Sequence, residues 1–374
     1  MSTPRTLTTT ALNRITLDRQ LLLRRSELSP LAAVEHLAGL QAQSANAPYL
    51  GLAARLARFT VADLTALLYG RQAVRASVLR GTLHLVAAAD YRWLRPLMQP
   101  VLARGRQASF GRVTAGVDLE ELAAAGRELL AGRVLTRPQL GRLLAERWPG
   151  VPADALGWSA QSMLQLVHVP PQGTWGRGGA TPFALADEWL GGPVEPACPE
   201  DGAGASGSVA AGPPVERLVH RYLAAFGPAA VMDVQAWSGL TRLREVVARM
   251  DLRVYRDENG REVFDLPDAP PPPDPDTPAP ARFLPEFDNL MVAYADRTRI
   301  MTDEHRRRVC VGSMVAPTVL VDGTVHGTWK LTADRLVVQP FVPLTARAET
   351  ELSQEADRLL TLTGARDLEF LPPA

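Results

Sequence analysis

Cysteine is scarce in this chain of 374 residues: Cys198 and Cys310 stand alone, with no CxxC pair and no Cys/His cluster near either. That spacing argues against a disulfide framework and against a zinc site. Long apolar runs are missing as well. Nowhere do the about 18 consecutive apolar residues occur that a membrane-spanning helix needs. The N-terminal MSTPRTLTTT lacks the apolar stretch of a secretory signal, so a cytoplasmic protein is expected, with no membrane partner. Lysine is nearly absent, Lys330 being the exception among 40 basic residues. A GC-rich coding sequence produces that bias, so the preference for arginine says nothing about recognition. Neither a GxSxG elbow nor a Walker loop is present. The six histidines (36, 84, 168, 220, 305 and 326) are scattered without ligand spacing, so no metal or cofactor is expected.

What is there is a charge asymmetry beneath a net charge of zero. Residues 1–150 hold 20 basic and 10 acidic side chains, and 151–374 hold 20 and 30, so the halves carry +10 and −10. Positive charge gathered in one region suits a polyanion, although a basic surface met by acidic surface elsewhere would give the same count.

The first half reads as helices followed by strands. Ser29-Pro30 is a cap with an N-terminal proline, and Leu31, Val34, Leu37 and Ala38 form a helical stripe. A second helix opens at Thr60, where TVAD has capping spacing before Leu64, Leu67 and Leu68. VRASVLRGTLHLVAA (74–88) is strand-like on both sides of Gly81. Helix, helix and a two-stranded wing is the order of a winged helix-turn-helix, and it recurs. LTRPQLGRLLAERW (135–148) carries a Thr136/Gln139 capping box, a helix follows around 153–166, and 167–185 suits a hairpin. A third copy runs from Pro214 through helices ending near Phe226, at 229–238 and at 240–250. It closes in LRVYRDENGREVFDL (252–266), with Asn259-Gly260 as the turn.

Two low-complexity stretches punctuate the chain: 195–214 reads as a flexible loop and DAPPPPDPDTPAPA (268–281) as a stiff linker. Beyond them the pattern turns to β, with Asp322-Gly323 as a hairpin turn, a helix at 346–363 and a closing strand. The expected fold class is α+β: three tandem winged helices and a smaller C-terminal β-rich domain. The expected boundaries are 1–130, 131–195 and 196–267 for the three winged regions, 268–281 for the linker, and 282–374 for the β-rich domain.

Residues 39–48, GLQAQSANAP, pose the main question. Gln41 is the next member of the stripe at 31, 34, 37 and 38, so its amide faces core or cleft and needs partners. Gln43 lies about 200° further round an ideal helix, so the two serve one site only if the helix ends near Ala42. Asn46 and Pro48 make that ending plausible, and helix capping is the alternative role for both amides. His84 in GTLHLV alternates with apolar residues as a strand histidine would. TWGRGG (174–179) reads as a hairpin tip whose Arg177 and Trp175 suit a DNA groove, with Trp175 equally suited to packing. DEHRRRV (303–309) reads as a solvated turn or a phosphate contact.

Three motifs in order carry a resemblance: LAGLQAQSANAPYLGLAAR, VRASVLRGTLHLVAAADY and LPEFDNLMVAYADRTRIM (284–301). From about residue 7 to the C-terminal domain the chain resembles the AlkZ-like winged-helix DNA glycosylases, which remove bulky alkyl adducts and unhook interstrand crosslinks. The resemblance implies a C-shaped scaffold, a barrel-like C-terminal domain and a catalytic Gln-apolar-Gln motif, here Gln41-Ala42-Gln43. A related branch carries an acid at the second position, so Gln43 puts this chain on the Gln-Gln side. Many relatives accompany biosynthesis of genotoxic natural products as self-resistance proteins.

Glutamine does not titrate, so it can neither protonate a leaving base nor deprotonate water. A purine alkylated at N7 needs no acid, because it is already cationic and departs neutral. Gln41 and Gln43 would then orient a water and favour the cationic sugar by dipole. The expected enzyme is a monofunctional DNA glycosylase, active as a monomer on double-stranded DNA bearing adducts or crosslinks. Arg55, Arg58, Arg75, Arg80, Arg104, Arg106 and Arg177 are the candidate DNA contacts. The competing reading is a winged-helix regulator or damage sensor in which both glutamines only support the fold.

Overall fold

The computed structural model describes residues 5–194, 214–332 and 334–373. The stretch expected as a flexible loop, apart from Pro214, lies outside the described residues, as does Cys198. Among the described residues no helix is long and apolar enough to cross a membrane.

A short strand β1 (Thr6–Leu7) and helix α1 (Thr9–Arg19) precede a first unit. That unit is α2 (Pro30–His36), β2 (Leu40–Gln41), α3 (Ala47–Arg55), α4 (Val61–Tyr69), β3 (Ala73–Ser77) and β4 (Leu83–Ala87). Helices α5 (Ala88–Leu97) and α6 (Gln99–Phe110) lead to a second unit. It comprises α7 (Leu119–Leu130), α8 (Arg137–Arg147), α9 (Ala153–Met163), β5 (Leu166–His168) and β6 (Phe183–Leu185), with Leu135 bridging Phe183. After α10 (Ala186–Leu190) comes a third: α11 (Pro214–Phe226), α12 (Val231–Ser238), α13 (Arg244–Val247), β7 (Arg253–Asp257) and β8 (Glu262–Asp265), with Ala229 bridging Phe264. Helix, strand or bridge, helix, helix, two strands thus occurs three times. The second occurrence opens at Leu119, so a boundary at 131 falls behind its first helix.

The capping residues act as their spacing predicts. Thr60 N donates to Asp63 Oδ2 at 2.7 Å, and Thr136 N to Gln139 Oε1 at 2.8 Å. In the third unit, left-handed backbone at Gly239 (φ +80°), just before 240–250, and at Arg242 (φ +62°), within it, interrupts the expected helix. Only Arg244–Val247 is α-helical there.

The units are not independent beads. One five-stranded antiparallel sheet, ordered β2-β4-β3-β5-β6, joins the strands of the first two, with Arg75 opposite His168. Pairing β3 with β5 covers an edge that would otherwise be open. The N-terminal β1 lies parallel to β7, so the chain's start completes the third sheet, β1-β7-β8.

The C-terminal part contains β9 (Arg282–Leu284), α14 (Asn289–Val292), α15 (Asp303–Val309), β10 (Cys310–Val311), β11 (Met314–Val315), β12 (Thr318–Val321), β13 (Thr324–Leu331), β14 (Arg335–Pro340), α16 (Ala346–Thr363) and β15 (Asp367–Phe370). Asp322 (φ +44°) and Gly323 (φ +79°) turn the β12–β13 hairpin with both residues in left-handed backbone. The sheet order β15-β14-β13-β12-β9 has two free ends, an open sheet rather than the barrel-like closure the resemblance implied. Helix α16 supplies the cover instead, packing Leu352, Ala356 and Leu359 against Phe283, Trp329 and Val338. DEHRRRV is the helix α15, not a turn. The proline-rich 268–281 is strapped down: Arg14 Nε donates to Thr277 O at 2.7 Å, and Ala279 and Ala281 are buried.

The segment 284–301 binds the rest together. Asp288 takes both Nη atoms of Arg55 at 2.8 Å, with both side chains fully buried. Asn289 Nδ2 donates to Gly39 O at 2.7 Å, and Tyr294 OH to Phe226 O at 2.6 Å. Arg55, read from sequence as a DNA contact, is therefore a core residue with no exposed charge. Removing one partner from a buried pair strands the other. Asp288→Ala is expected to cost about 3–5 kcal/mol in urea unfolding, and a loss under about 1 kcal/mol would contradict the assigned role.

Candidate active site

The stretch GLQAQSANAP does not continue the helix. Helix α2 stops at His36 with Leu37 as its C-cap, and Ala38 (φ +54°) and Gly39 (φ +94°) reverse the chain into β2. A Cβ at Gly39 would stand 2.8 Å from Val86 Cγ1 and 3.0 Å from Leu85 O, so only glycine fits there. Pro48 sits in the first turn of α3 and starts a helix rather than ending one. Gln41 is thus a strand residue, paired opposite His84.

Leu40 and Ala42 belong to the core with Val34, Leu37 and Leu52, and Gln43 follows β2 in a bend, where Leu83 of β4 holds it beside the strand. The 200° problem posed by a helix disappears. Gln41 is recessed, 6% exposed, while Gln43 is exposed.

Each carbonyl oxygen is held by a donor. Arg80 Nη2 donates to Gln41 Oε1 at 2.6 Å, and the Leu83 N–H donates to Gln43 Oε1 at 2.9 Å. Donors on both oxygens fix which way each amide points. The Leu83 bond extends the strand pairing, since Ala42 N donates to Leu83 O at 2.7 Å. Among the described residues neither amide NH2 donates to a protein acceptor, so both are available to a ligand.

Arg80 sits in the tight turn between β3 and β4 with φ +55°. Its Nη1 donates to Trp237 O at 2.6 Å, tying the third unit to Gln41. Burial, and then Arg297, lower its pKa to about 10. His84 is buried, and burial first, then Arg80, push its pKa from 6.5 to about 3, so its ring is neutral at physiological pH. It is no general acid there.

The remaining arginines divide. Arg75 is 4% exposed and donates to Ala42 O at 2.6 Å, bracing the backbone between the glutamines. Burial lowers its pKa to about 10, and Gly173 lies against its guanidinium, where a Cβ would come within 1.5 Å of Nη1. It is no more a surface residue than Arg55. Arg104 is exposed and donates to Gly239 O at 2.7 Å. Arg106 is half-buried on Thr114 and Gln107. Arg58 is paired with Glu27 at 3.0 Å, and Arg177 is exposed in the 169–182 loop. That loop has only three-residue strands at its base and folds back: Gly176 N donates to Asn46 Oδ1 at 2.8 Å, and Trp175 packs edge-on against Tyr49. Sequence reasoning missed Asn46, Asp288 and Asn289 as supports. The only trace of the last two was the quoted LPEFDNLM, in which nothing names a partner.

This fold has a likeness among known proteins. A family model described as DNA glycosylase AlkZ-like matches residues 34–362. The chain belongs to that family and is by class a DNA glycosylase. It is similar to an interstrand DNA cross-link repair glycosylase of Streptomyces sahachiroi, at 26% identity over 377 residues, covering 94% of this chain and 95% of the relative. Among solved structures, the Streptomyces sahachiroi DNA glycosylase AlkZ matches with a TM-score of 0.78 and 22% identity, covering 98% of this chain and 99% of that one. At that identity the likeness is one of fold.

The neutral His84 has a consequence for stability. Its folded pKa lies below its ordinary value of 6.5, so the unfolded chain binds a proton that the native chain refuses. Stability should fall as pH drops from 6.5 towards 3. The fall should be shallower in His84→Leu, as followed by thermal unfolding across that range; equal slopes would refute the assignment.

Proposed function

We propose that the chain hydrolyses the N-glycosidic bond of cationic N7-alkylated purines in double-stranded DNA, bulky adducts and interstrand crosslinks among them. Genotoxin self-resistance is one biological setting for that activity. The observation that carries the reading is that Gln41 at the end of β2 and Gln43 just beyond it both anchor on the β3–β4 hairpin, each by its oxygen and each with its NH2 open.

The C1′–N9 bond breaks, and its electron pair passes to the purine, which leaves neutral. Water adds to the oxocarbenium carbon, and its proton goes to solvent. An amide oxygen has two acceptor sites, and each glutamine has used one. The second can accept a hydrogen from the attacking water, orienting its lone pair at C1′. No residue has to change protonation state. The positive charge already on the base replaces the acid that an ordinary glycosidic bond requires. Unmodified purines, which lack that charge, should be spared.

The three repeated units act as winged helices in a C-shaped scaffold along the duplex. Exposed arginines such as Arg58, Arg104 and Arg177 meet backbone phosphates, so affinity should fall with salt and depend little on sequence. An open channel admits a base tethered to both strands, which a tight flipping pocket excludes.

A gel assay on N7-methylguanine and crosslinked duplexes tests this. Wild type should give abasic product. Gln41→Ala and Gln43→Ala, folded by circular dichroism and still binding DNA, should each lose about 10²–10³-fold in single-turnover rate. DNA binding without product on any alkylated duplex would favour the regulator or sensor, with Gln43 merely satisfying Leu83.

A further inference from the structure

Between the β3–β4 turn and helices α6 and α9 lies a cleft of about 350 Å³, lined by Arg80, Leu102, Arg106, Phe110, Trp158 and Gln161 among others. Its volume sits near the low end of the roughly 300–1,000 Å³ of small-molecule sites, room for a ring system rather than a whole nucleotide. Phe110 and Trp158 present nearly parallel rings, 20° apart with centroids separated by 6.2 Å. Trp158 is 38% exposed, although an indole on a helix surface ordinarily gains by burial. It is held in place all the same: the Arg137 guanidinium lies over its ring, 3.7 Å from the centroid. Gln161 adds a half-buried amide whose Oε1 has no partner among the described residues. An aromatic pair kept open and braced, beside an uncommitted amide, is suited to stacking a flat ligand.

The cleft is not remote from the reaction site. Arg80 lines it and also donates to Gln41, so a single side chain separates the two. We propose that this cleft is a subsite for a planar aromatic substituent carried by the alkylated base; the proposal rests on the glycosylase reading above. The purine is held at the glutamines while its appendage stacks along Phe110 and Trp158, with Gln161 offering a hydrogen bond to any polar edge. Adducts with a flat aromatic group are therefore processed in preference to simple methyl adducts.

Two duplexes that differ only in the lesion, N7-methylguanine or N7-benzylguanine, test it through single-turnover rates and half-saturation concentrations. Wild type should favour the benzyl duplex. Trp158→Ala should lower the benzyl-to-methyl ratio about tenfold, as loss of one stacking partner does, and Trp158→Phe should restore it. Gly105→Leu provides a second route that leaves the aromatics in place. Gly105 lines the cleft, and a Cβ there meets nothing within 4 Å, so the larger side chain fills the space without strain. It should remove the benzyl preference too. A ratio unmoved in folded Trp158→Ala and Gly105→Leu overturns the subsite and leaves the glycosylase reading standing. Wild type that cleaves neither duplex removes the reading, and the subsite with it.

Discussion

The buried pair of Arg55 with Asp288, and the neighbouring bond from Asn289 to Gly39, hold the two glutamines where they are. A fully buried guanidinium and carboxylate cost several kcal/mol each to desolvate, and their mutual attraction offsets that only in good geometry. Two parallel bonds at 2.8 Å supply it. What the pair also supplies is a fixed register between two segments 233 residues apart. It docks α3 on the segment 284–301, and the next residue along fixes the carbonyl of Gly39. Between them they clamp both ends of the turn-strand-helix connection that contains Gln41 and Gln43.

A two-residue strand has little stability of its own, and β2 survives because everything around it is pinned. Arg75 holds the Ala42 carbonyl, Leu83 closes on Gln43, and Arg80 reaches from a strained turn to Gln41 and to Trp237 of the third unit. Residues from the first and third units and the C-terminal segment thus converge on one short stretch. Arginines that a charge count assigns to phosphate are here structural cations inside the protein. Arg80 does both more and less than was expected of it: it touches the motif directly, and its charge is spent on an amide and a carbonyl.

How much of this was legible beforehand follows physical lines. Local signals were reliable. Thr60 with Asp63, Thr136 with Gln139, and the Asn259-Gly260 and Asp322-Gly323 turns each act within a few residues, and the chain forms the elements they announce. The order of the repeats was read only in part: α3 and α7, which carry no such cap signal in the sequence reading, were not expected. The conformation of GLQAQSANAP could not be read, because a left-handed Ala38-Gly39 turn held by Asn289 breaks a stripe that periodicity alone would extend to Gln41. Nor could the fates of Arg55 and Arg75, whose partners are a carboxylate 233 residues away and a carbonyl 33 residues away. The glutamines themselves came from the motif, and their anchoring on Arg80 and Leu83 is visible only in the structure. Barrel-like closure was an implication of the resemblance, and the observed order β15-β14-β13-β12-β9 leaves the outer edges of β15 and β9 unpaired among the described residues, a matter of strand pairing that no local signal announces.

The chemistry we propose asks for no titrating group. His84, the ionisable ring opposite Gln41, is kept neutral by burial, and the glutamines have no proton to give or take. If positioning and the charge of the leaving base suffice, rate should not depend on the protonation of the enzyme. The decisive measurement is the single-turnover rate of cleavage at N7-methylguanine in duplex DNA, from about pH 5 to pH 7, with folded protein and saturating enzyme. A flat profile is the predicted result. A limb in that window that persists when the substrate's own hydrolysis is subtracted would reveal a general acid or base, and would contradict catalysis by the two amides.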